Sequence, residues 1–139
     1  MFAMLFYKMS KLFGKITPLS ALFKQLNLIF NGVVISTRAN IGKNFDLVHG
    51  VGTVIGACKI GNNVRIYQNV TLGSKRQGED ITDFPTIEDN VTIFAGAIVL
   101  GRIKIGKNSV IGAGSYVDKD IPSNSVVYNE RRLIIKKKG

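Results

Sequence analysis

Aliphatic residues recur every six positions through most of this chain. Ile35, Ile41 and Leu47 form one run; Val54, Ile60, Ile66 and Leu72 a second; Ile87, Ile93, Val99, Ile105, Ile111 and Val117 a third. The residue four places after each is mostly small or apolar, as at Ala39, Phe45, Val51, Cys58, Val64, Val70, Val91, Ala97, Ile103, Ser109, Ser115 and Ile121. A period of six fits neither a helix face nor a sustained two-residue alternation. It predicts very short strands, each ended by a tight turn, with three hexads closing one triangular coil. Coils stacked at the strand spacing of about 4.8 Å would align aliphatic side chains into interior ladders. Face one reads Ile35, Val54, Leu72, Val99 and Val117; face two Ile41, Ile60, Ile87 and Ile105; face three Leu47, Ile66, Ile93 and Ile111.

The first 32 residues follow a different rhythm. Phe2, Leu5, Phe6, Met9, Leu12 and Phe13 lie at helical spacing with Lys8 and Lys11 off the stripe, which predicts a helix over 2–13. Thr17 before Pro18 is an N-cap and first-turn pair, Leu19, Leu22, Phe23 and Leu26 continue an apolar face, and Asn31-Gly32 supplies a stop. The expected organisation is a helical arm over 1–32, a repeat domain over 33–127 and a basic tail over 128–139.

Two breaks interrupt the repeat, and breaks are where function is expected. One extra residue enters between Leu47 and Val54, in the segment Val48-His49-Gly50-Val51-Gly52-Thr53, which holds the only histidine. Nine extra residues enter between Leu72 and Ile87, giving a polar loop from Gly73 to Thr86. His49 takes the third place of its hexad; the same place in later coils holds Gln68, Ala95 and Ala113, followed by Asn69, Gly96 and Gly114. A polar start and a bare Ala-Gly track would let a ligand approach the backbone closely. A histidine at such a break is a candidate general base, since imidazole titrates near neutral pH. The alternative for His49 is a solvated turn residue. Glu79, Asp80 and Asp83 are either loop solvation or groups that orient His49 or a substrate. Cys58 falls in an inward slot and reads as a packed thiol.

Composition narrows the classes. The formal net charge is +10, yet it is carried by Lys8, Lys11, Lys15 and Lys24 without an acid in residues 1–32, and by five basic residues in 131–139. A nucleic-acid groove would need basic and aromatic residues interleaved across a folded face, so no nucleic-acid partner is expected. The basic Phe-rich arm suggests either a cover for the repeat domain or peripheral contact with an anionic membrane. A single cysteine excludes an internal disulfide, and no uncharged run reaches the roughly 18 residues that span a bilayer. The chain reads as cytoplasmic, with contact at the inner membrane face.

The segment Phe45-Asp46-Leu47-Val48-His49-Gly50-Val51-Gly52-Thr53-Val54-Ile55-Gly56 and the run Ile60 to Gly73, with Tyr67-Gln68-Asn69-Val70-Thr71, resemble the serine acetyltransferase branch of the hexapeptide-repeat acyltransferases. The resemblance covers residues 35 to 127 and extends to short relatives that acetylate capsule and O-antigen sugars. It implies a left-handed parallel β-helix preceded by two short helices, a homotrimer with sites between subunits, and acetyl-CoA as co-substrate with no metal. His49 is then the catalytic base, Gln68, Asp83 and Phe84 are substrate-binding, and Gly73, Ala95, Gly96, Ala113 and Gly114 bind the acetyl donor. Serine-specific members carry an Asp where Val34 stands and a His where Phe84 stands. That difference favours a sugar or glycan hydroxyl as acceptor, with free serine as the alternative and an inactive β-helix scaffold or membrane-binding module as the non-enzyme reading.

Overall fold

A computed structural model describes residues 2–14, 17–76, 82–130 and 135–136. Among the described residues, fourteen short strands build three sheets whose neighbours are all parallel. Sheet A stacks β1 (Val34–Ile35), β4 (Val54–Ile55), β7 (Thr71–Gly73), β10 (Ile98–Leu100) and β13 (Tyr116–Val117). Sheet B stacks β2 (Asn40–Ile41), β5 (Lys59–Ile60), β8 (Thr86–Ile87) and β11 (Lys104–Ile105), and sheet C stacks β3 (Asp46–Leu47), β6 (Arg65–Ile66), β9 (Thr92–Ile93), β12 (Val110–Ile111) and β14 (Val126–Val127). The chain visits A, B and C in turn, so the three sheets are the walls of a triangular prism. Its interior is dry and aliphatic: Ile66, Leu72, Ile93, Val99, Ile105 and Ile111 are all fully buried.

One rung departs from the expected ladder. On sheet A the inward residue is Ile55, 1% exposed, which pairs with Ile35 and Leu72; Val54 is 39% exposed and points outward. Eight positions therefore separate Leu47 from the next interior rung, where six separate Ile66 from Leu72. The break holds two extra residues, and a hexad one residue short, from Ile55 to Ile60, restores the register. Thr53 consequently fills the inward slot expected of Val51, its hydroxyl donating to the Tyr67 carbonyl, while Val51 is exposed. Near the top, Ile121 bridges to Ile105 as a further face-two rung rather than filling the small slot after Val117.

Helices α1 (Phe2–Leu12) and α2 (Pro18–Asn31) form a hairpin against the first coil. Thr17 caps α2, accepting from the Ser20 N–H while the Ser20 hydroxyl oxygen accepts from the Thr17 N–H, and Gly32 closes it in the left-handed region at φ 62°. The apolar stripes, however, face away from the prism. Ala3, Tyr7 and Ser10 of α1 and Ser20 and Asn27 of α2 are the buried positions, whereas Phe2, Leu5, Leu12, Leu22, Ile29 and Phe30 are exposed. The docking seam is polar, with the Tyr7 hydroxyl donating to the Ala39 carbonyl at 2.7 Å and Lys11 Nζ donating to the same carbonyl at 3.1 Å; within the hairpin, the Asn27 amide donates to the Ala3 carbonyl at 3.2 Å. Phe6 and Phe13 meet Phe23 and Phe30 along the line where the two helices touch.

Candidate active site

The extra residues after Leu47 fold into a bulge at the corner between sheets C and A. His49 sits there at φ 49°, and the Val51 N–H turns back to its carbonyl at 2.6 Å. Gly52, at φ 76°, re-enters the ladder, its N–H donating to the Gly32 carbonyl of the helical hairpin. A side chain at Gly52 would collide with the Asn69 amide, so this corner requires glycine on steric as well as conformational grounds. Positive φ at a non-glycine residue is a cost that often marks function. The His49 imidazole is exposed and has no hydrogen-bond partner among the described residues.

A cavity of about 660 Å³ opens beside it. Ala3, Met4, Leu5 and Lys8 of α1 line one side, and Phe45, Asp46, Leu47 and Gly50 the other. Asp46 is held by Arg65, Nε to Oδ2 at 2.8 Å, and so points along sheet C. The hairpin is therefore a wall of the His49 cavity and not only a lid on the prism.

Counted from the paired Leu47 and Ile66, Gln68 lies in the coil above His49, and Ala95 and Ala113 follow in the same place. The corner remains bare as it rises. Gly96 at φ 70° and Gly114 at φ 61° carry the turns, and a Cβ added at Gly96 would meet nothing closer than 3.8 Å. Coil-to-coil bonding there uses the N–H groups of Asn69, Gly96 and Gly114 and leaves those of Gln68 and Ala95 out. Gln68 also keeps a buried side-chain oxygen with no hydrogen-bond partner among the described residues. Beside this column Tyr67 stacks on Phe94 with ring centroids 4.9 Å apart, an outward aromatic pair that the periodicity did not single out. The available signal was that each follows an inward isoleucine by one place.

The long loop leaves from a different corner, between sheets A and B, so Asp83, Phe84 and Gly73 lie across the width of sheet A from His49. Asp83 is occupied by its own loop. Its carboxylate accepts from the Ser74 hydroxyl at 2.6 Å and from the Lys75 and Arg76 N–H groups at 2.9 Å, which hold its pKa below the usual 3.8. Phe84 packs on the core with its ring over Gly56, where any side chain would strike it. These two residues pin the loop base, and within one chain they stand apart from His49. Lys75 ties the loop to the coil above through Asp118 at 2.8 Å. Glu79 and Asp80 lie outside the described residues. Burial pushes the Cys58 thiol up to about 12, so it is protonated and inert as a nucleophile at neutral pH.

Residues 84–119 match the bacterial transferase hexapeptide (six repeats) family. The chain is 46% identical over 116 residues to a serine acetyltransferase of Bacillus pumilus (strain SAFR-032), covering 81% of this chain and 52% of that protein. It is 48% identical over 118 residues to a serine acetyltransferase of Staphylococcus aureus (strain Mu50 / ATCC 700699), covering 83% and 54%. Among solved structures, it superposes on serine acetyltransferase isoform 3 of Entamoeba histolytica in complex with cysteine, at a TM-score of 0.85 and 34% identity over 98% of this chain and 50% of that one. The serine acetyltransferase of Neisseria gonorrhoeae in complex with serine gives 0.84 and 34%, covering 92% and 53%. The chain spans about half the length of the relatives it matches. These relatives overturn the expectation of a sugar acceptor, which rested on Val34, Phe84 and the basic N-terminal arm, because their names point to serine. With its fold a left-handed parallel β-helix and its repeats of this type, the chain belongs to the hexapeptide-repeat transferase family, in the serine acetyltransferase-like branch.

Proposed function

We propose that this chain transfers an acetyl group from acetyl-CoA to the hydroxyl of serine. The observation that carries the reading is the His49 bulge, a strained and exposed imidazole beside a cavity, in a chain similar to serine acetyltransferases over four fifths of its length. In this reading His49 accepts the serine hydroxyl proton as the oxygen attacks the thioester carbonyl, forming the ester C–O bond. Collapse of the tetrahedral intermediate breaks the C–S bond, and the imidazolium returns the proton to the leaving thiolate. In this reading the Gln68 and Ala95 N–H groups, left out of the coil ladder, donate to the oxyanion. The bare corner at Gly96, Ala113 and Gly114 suits the donor's extended arm. The buried, protonated Cys58 favours direct transfer over an acyl-enzyme.

The reading includes a homotrimer. Val34, Val54, Ile98 and Tyr116 project from sheet A as a half-exposed apolar strip, whereas sheet B projects Asn40, Lys59, Thr86 and Lys104. His49 lies at one edge of that strip and the Asp83 loop at the other. Packing the strip between subunits would bring one chain's loop toward the next chain's His49, which supports a site shared between copies. The test is release of free thiol from acetyl-CoA with and without L-serine. Serine-dependent release is expected, and His49→Ala should lower turnover by about 10² to 10⁴ with an unchanged melting curve. Absence of serine-dependent release sinks the acceptor, and a His49→Ala protein of near-wild-type activity sinks the base.

A further inference from the structure

The cavity beside His49 holds one group for each charge of a zwitterion. Among the described residues, Lys8 of α1 is the one lysine or arginine on its lining and Asp46 of β3 the one carboxylate. Both are anchored. The turn of α1 that carries Lys8 is fixed by the Tyr7 hydroxyl on the Ala39 carbonyl. Asp46 is bonded by Arg65 through Oδ2, and its Oδ1 has no hydrogen bond among the described residues. Lys8 likewise makes no hydrogen bond or ion pair among them, whereas Lys11 is committed to the Ala39 carbonyl and the Tyr7 hydroxyl. Met4, Phe45 and Leu47 pack on the core and give the cavity an apolar lining, in which attraction between charges is stronger than in water. Within one chain the long loop offers no substitute pair: Asp83 is satisfied by Ser74, Lys75 and Arg76, and Lys75 is paired with Asp118. The position of His49 suits two substrates. α1 lies against the first coil and the Ala-Gly corner rises from it, so an acceptor in the cavity and a thioester on that corner would reach the imidazole from opposite sides.

We propose, on the basis of transfer to serine, that this cavity reads both charges of the acceptor. Lys8 binds the serine carboxylate and Asp46 its ammonium, which leaves the hydroxyl to His49. The helical hairpin is then part of the acceptor site, and specificity for an amino acid comes from α1 and β3.

The test compares thiol release from acetyl-CoA with L-serine, with L-serinamide, which lacks the carboxylate, and with 3-hydroxypropanoate, which lacks the ammonium. The wild-type chain should prefer serine to either analogue by about tenfold or more in kcat/KM. Lys8→Met should raise KM for serine about tenfold, leave KM for acetyl-CoA unchanged and bring serinamide level with serine. Asp46→Asn should do the same for 3-hydroxypropanoate, and both variants should keep the wild-type circular dichroism. Serine-dependent release in which Lys8→Met retains the full preference for serine over serinamide overturns this inference and leaves transfer to serine standing. If the wild-type chain releases no thiol with serine, transfer to serine falls, and calorimetric titration then decides the cavity. L-serine bound by the wild-type chain and lost in Lys8→Met upholds the cavity's role; binding that is absent, or equal in the two proteins, overturns it.

Discussion

The β-helix and the helical hairpin use the same apolar residue types in opposite senses. In the prism, isoleucine and leucine point inward and are fully buried, and the outward places on sheet B are lysine, asparagine and threonine. In the hairpin, leucine, isoleucine and phenylalanine are exposed, and the buried positions are alanine, serine, asparagine and one tyrosine. Burial is thus the reason the β-helix folds, while the hairpin is held together by its aromatic seam and held to the prism by a few hydrogen bonds and the buried Ala3 and Tyr7. An amphipathic stripe identifies an apolar face, and only the surrounding fold tells which way it looks.

The contrast would be broken most visibly by alanine substitutions in the two regions. Ile93→Ala removes a fully buried rung and should cost about 2–5 kcal/mol, while Ile29→Ala on the outer hairpin face should stay within about 0.5 kcal/mol. Comparable losses in chemical denaturation would mean the hairpin face is buried in solution. A smaller effect sharpens the account of the seam. Tyr7→Phe deletes the 2.7 Å bond to the Ala39 carbonyl, and because Lys11 Nζ also reaches that carbonyl at 3.1 Å, the loss should be about 1 kcal/mol. No change in thermal stability would mean that the polar seam does not hold the hairpin.

The smallest expected effect is a pH dependence at the loop base. Asp83 is lowered from 3.8 first by the Ser74 hydroxyl and then by loop N–H groups, and Asp118 by Lys75. A carboxylate lowered on folding contributes stability that is present above its unfolded value and is lost as pH falls through the lowered one. Lys75, raised from 10.5 by Asp118, contributes below that value and loses its contribution as pH rises through the raised one. Melting temperature should therefore fall below pH 3.8, and Asp83→Asn should flatten part of that fall. An unaltered acid limb in the variant would remove Asp83 from the account.

Much of the fold was legible because six-residue spacing states which side chains must be interior. The misplaced rung at Val54 was hidden because Val54 and Ile55 are both aliphatic, so sequence could not tell which turned inward. The capping of α2 was readable from Thr17, Pro18 and Gly32, since those signals are local. Within the candidate site, the His49 break was visible as a local irregularity. The separation of His49 from Asp83 and Phe84 was not, because it depends on which corner of the triangle each break falls at. Nor could sequence reveal that Asp83 is satisfied by Ser74 and its neighbours.

The corner between sheets B and C carries a feature with an implication of its own. Asn44, Asn63, Asn90, Asn108 and Asn124 all adopt φ between 54° and 60°, and each amide nitrogen donates to the carbonyl oxygen of the asparagine in the next coil, from Asn44 through to Asn124. The chain of amides is polar in the vectorial sense: donors point one way along the axis and acceptors the other. Glycine would accept the backbone angle but interrupt the file, and aspartate would set acceptor against acceptor. Asparagine alone meets both demands, so the corner acts as a directional gauge for lengthening the prism. A coil spliced into this protein should be tolerated when it brings its own asparagine at this place and should open a gap in the file when it does not.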